Sequence, residues 1–186
     1  MAPVKVVRPR VTYADLERAP EDGRRYELYD GEVYVVPAPL PVHQVVQVLI
    51  LDQLRAHVAE HGGFAIHSPI DIVFSQLDVL QPDVVYFCPE RASLVDLNRP
   101  IHDPPDLCVE ALSPSTHDAD RGRKMRMFAR YGVREYWMAD PEAQRIEIYR
   151  LRRTSYVLAE TVSGDGVVTS PLLLGLVFSA RACFPA

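Results

Sequence analysis

Cysteine is scarce in this chain. Its three residues, Cys88, Cys108 and Cys183, lie far apart and show no CxxC spacing. That pattern argues against a disulfide framework or a zinc site and fits buried free thiols in a reducing compartment. Long apolar runs are missing as well: none approaches the roughly 20 residues that span a bilayer. The opening stretch MAPVKVVRPR lacks the apolar segment of a secretory signal. A cytoplasmic protein with no membrane association is the expectation. Nor is there an excess of positive charge: 20 Lys and Arg stand against 25 Asp and Glu, a net charge of −5. Coating of nucleic acid by bulk charge is thereby excluded, although a local basic patch is not. With no repeat, low-complexity tract or linker, the 186 residues are expected to form one domain, 1–186, behind a loose arm over 1–10.

What is present reads as alternating helices and strands. Thr12 and Asp15 form a capping-box-like start to a short helix that ends by Gly23. In RRYELYDGEVYVV, two runs of strand formers flank Asp30-Gly31, the pattern of a hairpin. From Pro41 to His61 the apolar spacing becomes helical, and Gly62-Gly63 ends it. Short strands are expected near Phe64–His67 and Asp71–Phe74. After them come a strand opened by Pro82-Asp83, a proline-rich loop over 89–105, and the strand DLCVEALS. Ser113-Pro114-Ser115-Thr116 breaks that strand and caps a helix from about His117 to Tyr131. EYWMAD and RIEIYRL follow as strands, and the tail from Tyr156 is strand-rich. The expected class is mixed α/β (α+β): a central mixed sheet flanked by helices, with an added N-terminal hairpin and a strand-rich C-terminal tail.

The stretch LQPDVVYFCPE holds the first chemical signal. Proline is tolerated at the first residue of a strand and hardly elsewhere in one, so Asp83 sits at the mouth of an apolar strand. A carboxylate there needs a cap, a cationic side chain or a metal ion. Glu110 lies in the next long strand, Lys124 one helix further on, and Glu27 in the early strand YELYDG. Carboxylates on neighbouring strands suit magnesium or manganese, and an ammonium nearby can stabilise charge on a reacting phosphate. Each residue also has a plain reading. Asp83 serves as a cap, Glu110 faces solvent, and Lys124 pairs with Asp120 as an exposed i,i+4 ion pair worth a few tenths of a kcal/mol.

Four segments in order, YELYDGEVY, PDVVY, VEALSPST and KMRMFARYGVREYWMADP, resemble the Uma2 family, a bacterial group within the PD-(D/E)XK nuclease superfamily. The resemblance covers about Val11 to Leu151 and continues weakly into the tail. It implies a restriction-endonuclease-like core, with catalytic carboxylates on adjacent strands. It also implies metal-dependent hydrolysis of DNA phosphodiester bonds, with Mg²⁺ or Mn²⁺ as cofactor. Asp83 then matches the Asp of PD and Glu110 the acidic residue of (D/E)XK, both as metal ligands. Glu27 matches an acidic residue of the first strand that completes the metal shell. Leu112 stands where the superfamily pattern expects lysine, and Lys124, on the following helix, takes that place.

His43, at the start of the long helix, is a candidate to contact phosphate or orient water, set against plain packing. Arg121 and Arg123 are candidates for phosphate contact. They belong to a cluster with Arg126, Arg130 and Arg134 whose alternative is an ordinary charged helix face. DNA is the expected substrate, and a homodimer is expected because a double-strand cut commonly needs two sites. The alternative to a nuclease is a non-catalytic nucleic-acid-binding or structural protein that kept the fold.

Overall fold

The computed structural model describes residues 9–113 and 119–185. In chain order the elements are helix α1 (Tyr13–Glu17), strands β1 (Arg25–Tyr29) and β2 (Glu32–Val36), helix α2 (Pro41–His61), and strands β3 (Phe64–His67), β4 (Ile72–Ser75), β5 (Asp78–Leu80), β6 (Val84–Phe87) and β7 (Leu107–Ala111). After them come a π-helical turn (Ala119–Lys124), helix α3 (Met125–Arg130), and strands β8 (Glu135–Asp140), β9 (Arg145–Arg152), β10 (Ser155–Ser163), β11 (Val167–Thr169) and β12 (Val177–Ser179). The mixed α/β class expected from sequence is observed. The helix expected from His117 is α-helical only over Met125–Arg130; before that it is π-wound, and His117 itself lies outside the described residues. So do Pro114, Ser115 and Thr116, and residues 1–8 of the expected arm.

A six-stranded sheet runs β10-β9-β8-β7-β6-β3. Its β7–β8 pair is parallel and the others are antiparallel. Strand alternation divides β7 between two cores. Leu107, Val109 and Ala111 face the layer of α2, where Val46, Ile50 and Leu54 pack on the sheet with Trp137 and Ile148. Cys108 and Leu112 face the other layer, with Phe128 of α3, Val85, Phe87 and Tyr136. Both faces of β6 and β7 are covered, which is why VVYF and LCV read as unbroken apolar runs. Each fully buried side chain of this size contributes about 1.5–3 kcal/mol of transfer free energy.

The hairpin is less of an appendage than expected. β1 and β2 belong to a four-stranded sheet of order β2-β1-β5-β4. Asp30 and Gly31 both take positive φ, 50° and 81°, as the tight hairpin turn requires. A side chain at Gly31 would collide with Arg10, whose Cβ would lie 2.7 Å from the added carbon. The turn is tied to β5 through Asp30 N–H to Asp78 Oδ1 (2.7 Å). This second sheet packs on the α3 side of the main one, through Tyr29, Ile72 and Leu80. It thereby brings Glu27 against the layer into which Glu110 points.

Candidate active site

Residue parity on β6 and β7 sets the site. Val84 pairs with Val109, so one step beyond the ladder Asp83 stands opposite Glu110. Glu110 is an even-numbered neighbour of Cys108 and Leu112, so its side chain leaves the sheet on the α3 side. Both carboxylates are buried. Asp83 Oδ2 accepts the Ala111 backbone N–H at 2.7 Å, a bond that spans the two strands and fixes the carboxylate. The same oxygen lies 2.9 Å from His43 Nε2. Gln47 Nε2 lies 3.1 Å from His43 Nδ1. With the amide donating there, the imidazole carries its proton on Nε2 and gives it to Asp83. His43 therefore acts on Asp83 from the first turn of α2.

Lys124 occupies the middle of the acidic cluster. Its Nζ lies 2.9 Å from each oxygen of Glu110, 3.2 Å from Glu27 Oε1, 3.3 Å from the Gln81 carbonyl and 3.8 Å from Asp120 Oδ1. Lys124 is only 6% exposed and Asp120 1%. The exposed i,i+4 pair expected from their spacing is instead a buried one. The π-helical turn presents both side chains inward, and Tyr136 Oη donates to the Asp120 carbonyl at 3.2 Å; such winding recurs at functional sites. Glu27 is oriented in turn by Tyr29 Oη (2.8 Å to Oε2) and the Gln81 N–H (2.9 Å to Oε1).

The electrostatics follow from three buried carboxylates around one ammonium, with Asp83 beside Glu110. Burial opposes the charge of Lys124, yet Glu110, Glu27 and Asp120 outweigh it and hold its pKa well above the ordinary lysine value. Burial also pushes Glu110 well above the usual carboxylate range, against the pull of Lys124, and the charges of Asp83, Asp120 and Glu27 add to the rise. Carboxyl groups outnumber the one ammonium in the cluster, a setting that suits a further cation.

The chemistry of the donor set bears on which cation fits. Among the described residues, no group of three or more His, Cys, Asp or Glu is arranged to hold a metal ion. Two hard carboxylates at neighbouring register positions nevertheless suit magnesium, which takes one or two carboxylates and keeps much of its water. Leu112, where the superfamily pattern places lysine, is buried in the apolar cluster beside α3. The ammonium reaches the same side of the sheet from Lys124.

The arginines divide. Arg121 is committed to Glu147 through two bonds, 2.7 and 2.9 Å, which hold its pKa high. Arg130 pairs with Asp30 and Arg134 with Asp106. Arg123 lies over Tyr34 and Tyr29, its guanidinium carbon 3.6 and 4.6 Å from the ring centroids. Sequence reasoning overlooked Gln47 and misread Asp120. The i,i+4 spacing of His43 with Gln47 and of Asp120 with Lys124 was the available signal.

Comparison with known proteins agrees with this architecture. The model of the Uma2 family, described as "Putative restriction endonuclease", matches residues 12–181. An uncharacterized protein of Synechocystis sp. is 30% identical over 132 residues, 67% of this chain. The chain spans 65% of that relative's length, just under two thirds. The crystal structure titled "a putative nuclease belonging to DUF820", from Anabaena variabilis, is similar with a TM-score of 0.75 at 20% identity. That likeness covers 93% of this chain and 97% of the other, and it is a likeness of fold.

Proposed function

This chain belongs to the Uma2 family, and from that premise we propose that it is a metal-dependent endonuclease hydrolysing the phosphodiester bonds of DNA. The family description supports a nuclease-type hydrolase with a nucleic-acid substrate; the choice of DNA, the ion and the residue roles are our own reading. The observation that carries it is the convergence of Asp83, Glu110 and Lys124. Asp83 at the entrance to β6, Glu110 on β7 and Lys124 of the π-helical turn are buried side by side, although Leu112 breaks the local motif.

In this reading Asp83 and Glu110 hold Mg²⁺ or Mn²⁺, with Glu27 a further ligand, directly or through water. The ion, when bound, supplies a polarised water and neutralises charge on the phosphate. The protein supplies geometry. The Ala111 N–H and His43 fix one oxygen of Asp83; among the described residues no hydrogen bond engages the other. Lys124 orients Glu110, which would hold the ion together with Asp83. Held protonated by its neighbours, Lys124 stabilises negative charge on the phosphate but does not accept a proton. Glu27 and Asp120 keep it in place. We take the acting form to be a homodimer, since each chain carries one such cluster and a double-strand cut requires two strand scissions.

One observation favours a second reading, a non-catalytic nucleic-acid-binding or structural protein. Lys124 already bonds both oxygens of Glu110, so the cluster can serve as a self-paired buried network. Supercoiled plasmid separates the two readings. The nuclease nicks and linearises it with Mg²⁺ or Mn²⁺ and stops on chelation, whereas the second reading leaves it intact under both conditions.

A further inference from the structure

A second, cationic cleft opens beside the carboxylate cluster. It measures about 440 Å³, and its walls include Arg10, Arg123, Arg126, Arg130, Tyr29 and Tyr34, with the carboxylates of Asp30 and Glu32. Three of its four arginines differ from the fourth, Arg130, and from Arg121 and Arg134 outside it. Arg121, Arg130 and Arg134 are each paired with a carboxylate. Among the described residues, no ion pair or hydrogen bond engages the guanidinium of Arg10, Arg123 or Arg126. The Nε of Arg123 is buried and lacks a hydrogen-bond partner there. Two tyrosine rings hold its guanidinium, so less side-chain entropy remains to be lost when a ligand arrives. Tyr34 Oη donates to Glu32 at 2.8 Å, and the other wall carboxylate, Asp30, is paired with Arg130.

We propose that this cleft grips a backbone phosphate of the nucleic-acid strand, close to the phosphate that is cleaved. Guanidinium forks match phosphate oxygens in geometry and charge. Three unpaired arginines converging on one cleft in an acidic protein are an anion site rather than a solvated face. The position follows from Tyr29: its ring forms part of the cleft wall, and its hydroxyl bonds Glu27, which lies 3.2 Å from Lys124. The cleft and the carboxylate cluster are thus two sides of one tyrosine. Arg123 keeps the phosphate contact expected of it, Arg126 and Arg10 join it, and Arg121, held by Glu147, does not take part.

This proposal rests on the nuclease reading, and its test separates the two. Binding of a fluorescein-labelled DNA duplex is measured by anisotropy in Ca²⁺ across a range of salt, for wild type, Arg123→Ala, Arg126→Ala and, as a control, Arg181→Ala. Arg181 pairs with Asp165 in the tail. Inorganic phosphate and deoxynucleoside monophosphate serve as competitors. The expectation is an about 5- to 10-fold loss of affinity for each cleft variant and none for the control. The slope of log affinity against log salt falls by about 0.9 for each phosphate that the variant no longer engages, and the small competitors are much weaker than the duplex. Circular dichroism confirms folding, and exposed Arg126 provides the variant least able to disturb it. Wild-type affinity and slope in both cleft variants, or no duplex binding by the wild type, overturns the proposal. Competition by a monophosphate equal to that of the duplex overturns the strand assignment in favour of a small-molecule anion site. Weakened binding in the variants of a protein that cuts no DNA keeps the cleft and removes the nuclease reading. Unchanged binding in the variants of a protein that does cut DNA does the reverse.

Discussion

Lys124 bridges both carboxylate oxygens of Glu110 at 2.9 Å, across two elements of the fold and from within the protein interior. In the nuclease reading the pairing stands in, in space, for the lysine that the superfamily pattern expects at Leu112. It also changes what the lysine is worth. An exposed pair would matter by a few tenths of a kcal/mol, but a buried ammonium holds several carboxylates in check. Lys124→Ala is therefore expected to lose about 3–5 kcal/mol of stability at neutral pH, because it strands buried charge. Activity falls 10²- to 10³-fold on top of that, by analogy with other preorganised charges. Adding Glu110→Gln to Lys124→Ala removes the stranded carboxylate and restores much of the stability while activity stays low. Denaturant unfolding of the two single variants and the double variant measures the coupling. Additive losses count against the pairing.

His43 holds Asp83 through Nε2 while Gln47 occupies its other nitrogen. In metal sites such outer partners are worth about 10- to 100-fold in affinity or activity. His43→Ala should weaken Mn²⁺ binding by that amount in calorimetric titration. Gln47→Leu, which frees the tautomer but leaves the ring, should have a smaller effect in the same direction. If His43 is only packing, Mn²⁺ affinity stays at the wild-type value and the melting temperature alone moves.

Much of this arrangement was legible in the sequence where the signal is local. Asp30-Gly31 announced its hairpin because only a turn with positive φ suits that pair. Pro41–His61 ended at glycine, and the helix has those bounds, although Val42 and Val45 of its apolar spacing are exposed. Pro82 marked the approach to β6, which begins two residues later at Val84. The elements and contacts that were missed depend on distant partners. Strand β5, Asp78–Leu80, is three residues long and exists through its pairing with β1 and β4. Arg121 looked free to meet phosphate, yet Glu147 lies across the sheet from it. Helical spacing left open an exposed Asp120–Lys124 pair, because it reports the face they share and not what covers that face. One signal went unused: the chain has two lysines, Lys5 and Lys124, among its 20 basic residues, so a lysine kept in the interior stands out against so much arginine.

Asp106 anchors the opposite end of β7 from the acidic cluster. It accepts the Cys88 N–H at 2.8 Å, Arg91 at 2.6 Å and Arg134 Nε at 3.0 Å. Burial would raise its pKa, but those three donors outweigh burial and lower it from the ordinary 3.8. A depressed carboxylate pKa stabilises the fold at pH values above the unfolded-state pKa, and that contribution is lost as pH falls through the folded-state value. Asp106→Ala should therefore cost about 3 kcal/mol near pH 7. The gap from wild type should narrow below about pH 4. Thermal melts of both proteins from pH 7 to pH 3 check this. A gap that stays constant or widens on acidification contradicts it.

A homodimer is expected in solution. Light scattering at micromolar concentration, with and without a DNA duplex in Ca²⁺, should give twice the chain mass of 21.0 kDa. A monomer under both conditions removes the dimer from the account and limits the expected product to nicked DNA.

The central claim is that Asp83 and Glu110 support metal-dependent cleavage. Single-turnover rates on one labelled DNA substrate in Mg²⁺ test it most directly, for wild type, Asp83→Ala and Glu110→Gln from identical purifications. The account predicts measurable cleavage by the wild type that is abolished by chelation, and rates at least about 10³-fold lower in both variants, whose duplex binding in Ca²⁺ persists. Equal rates in all three proteins, or no cleavage by the wild type in Mg²⁺ or Mn²⁺, would contradict it.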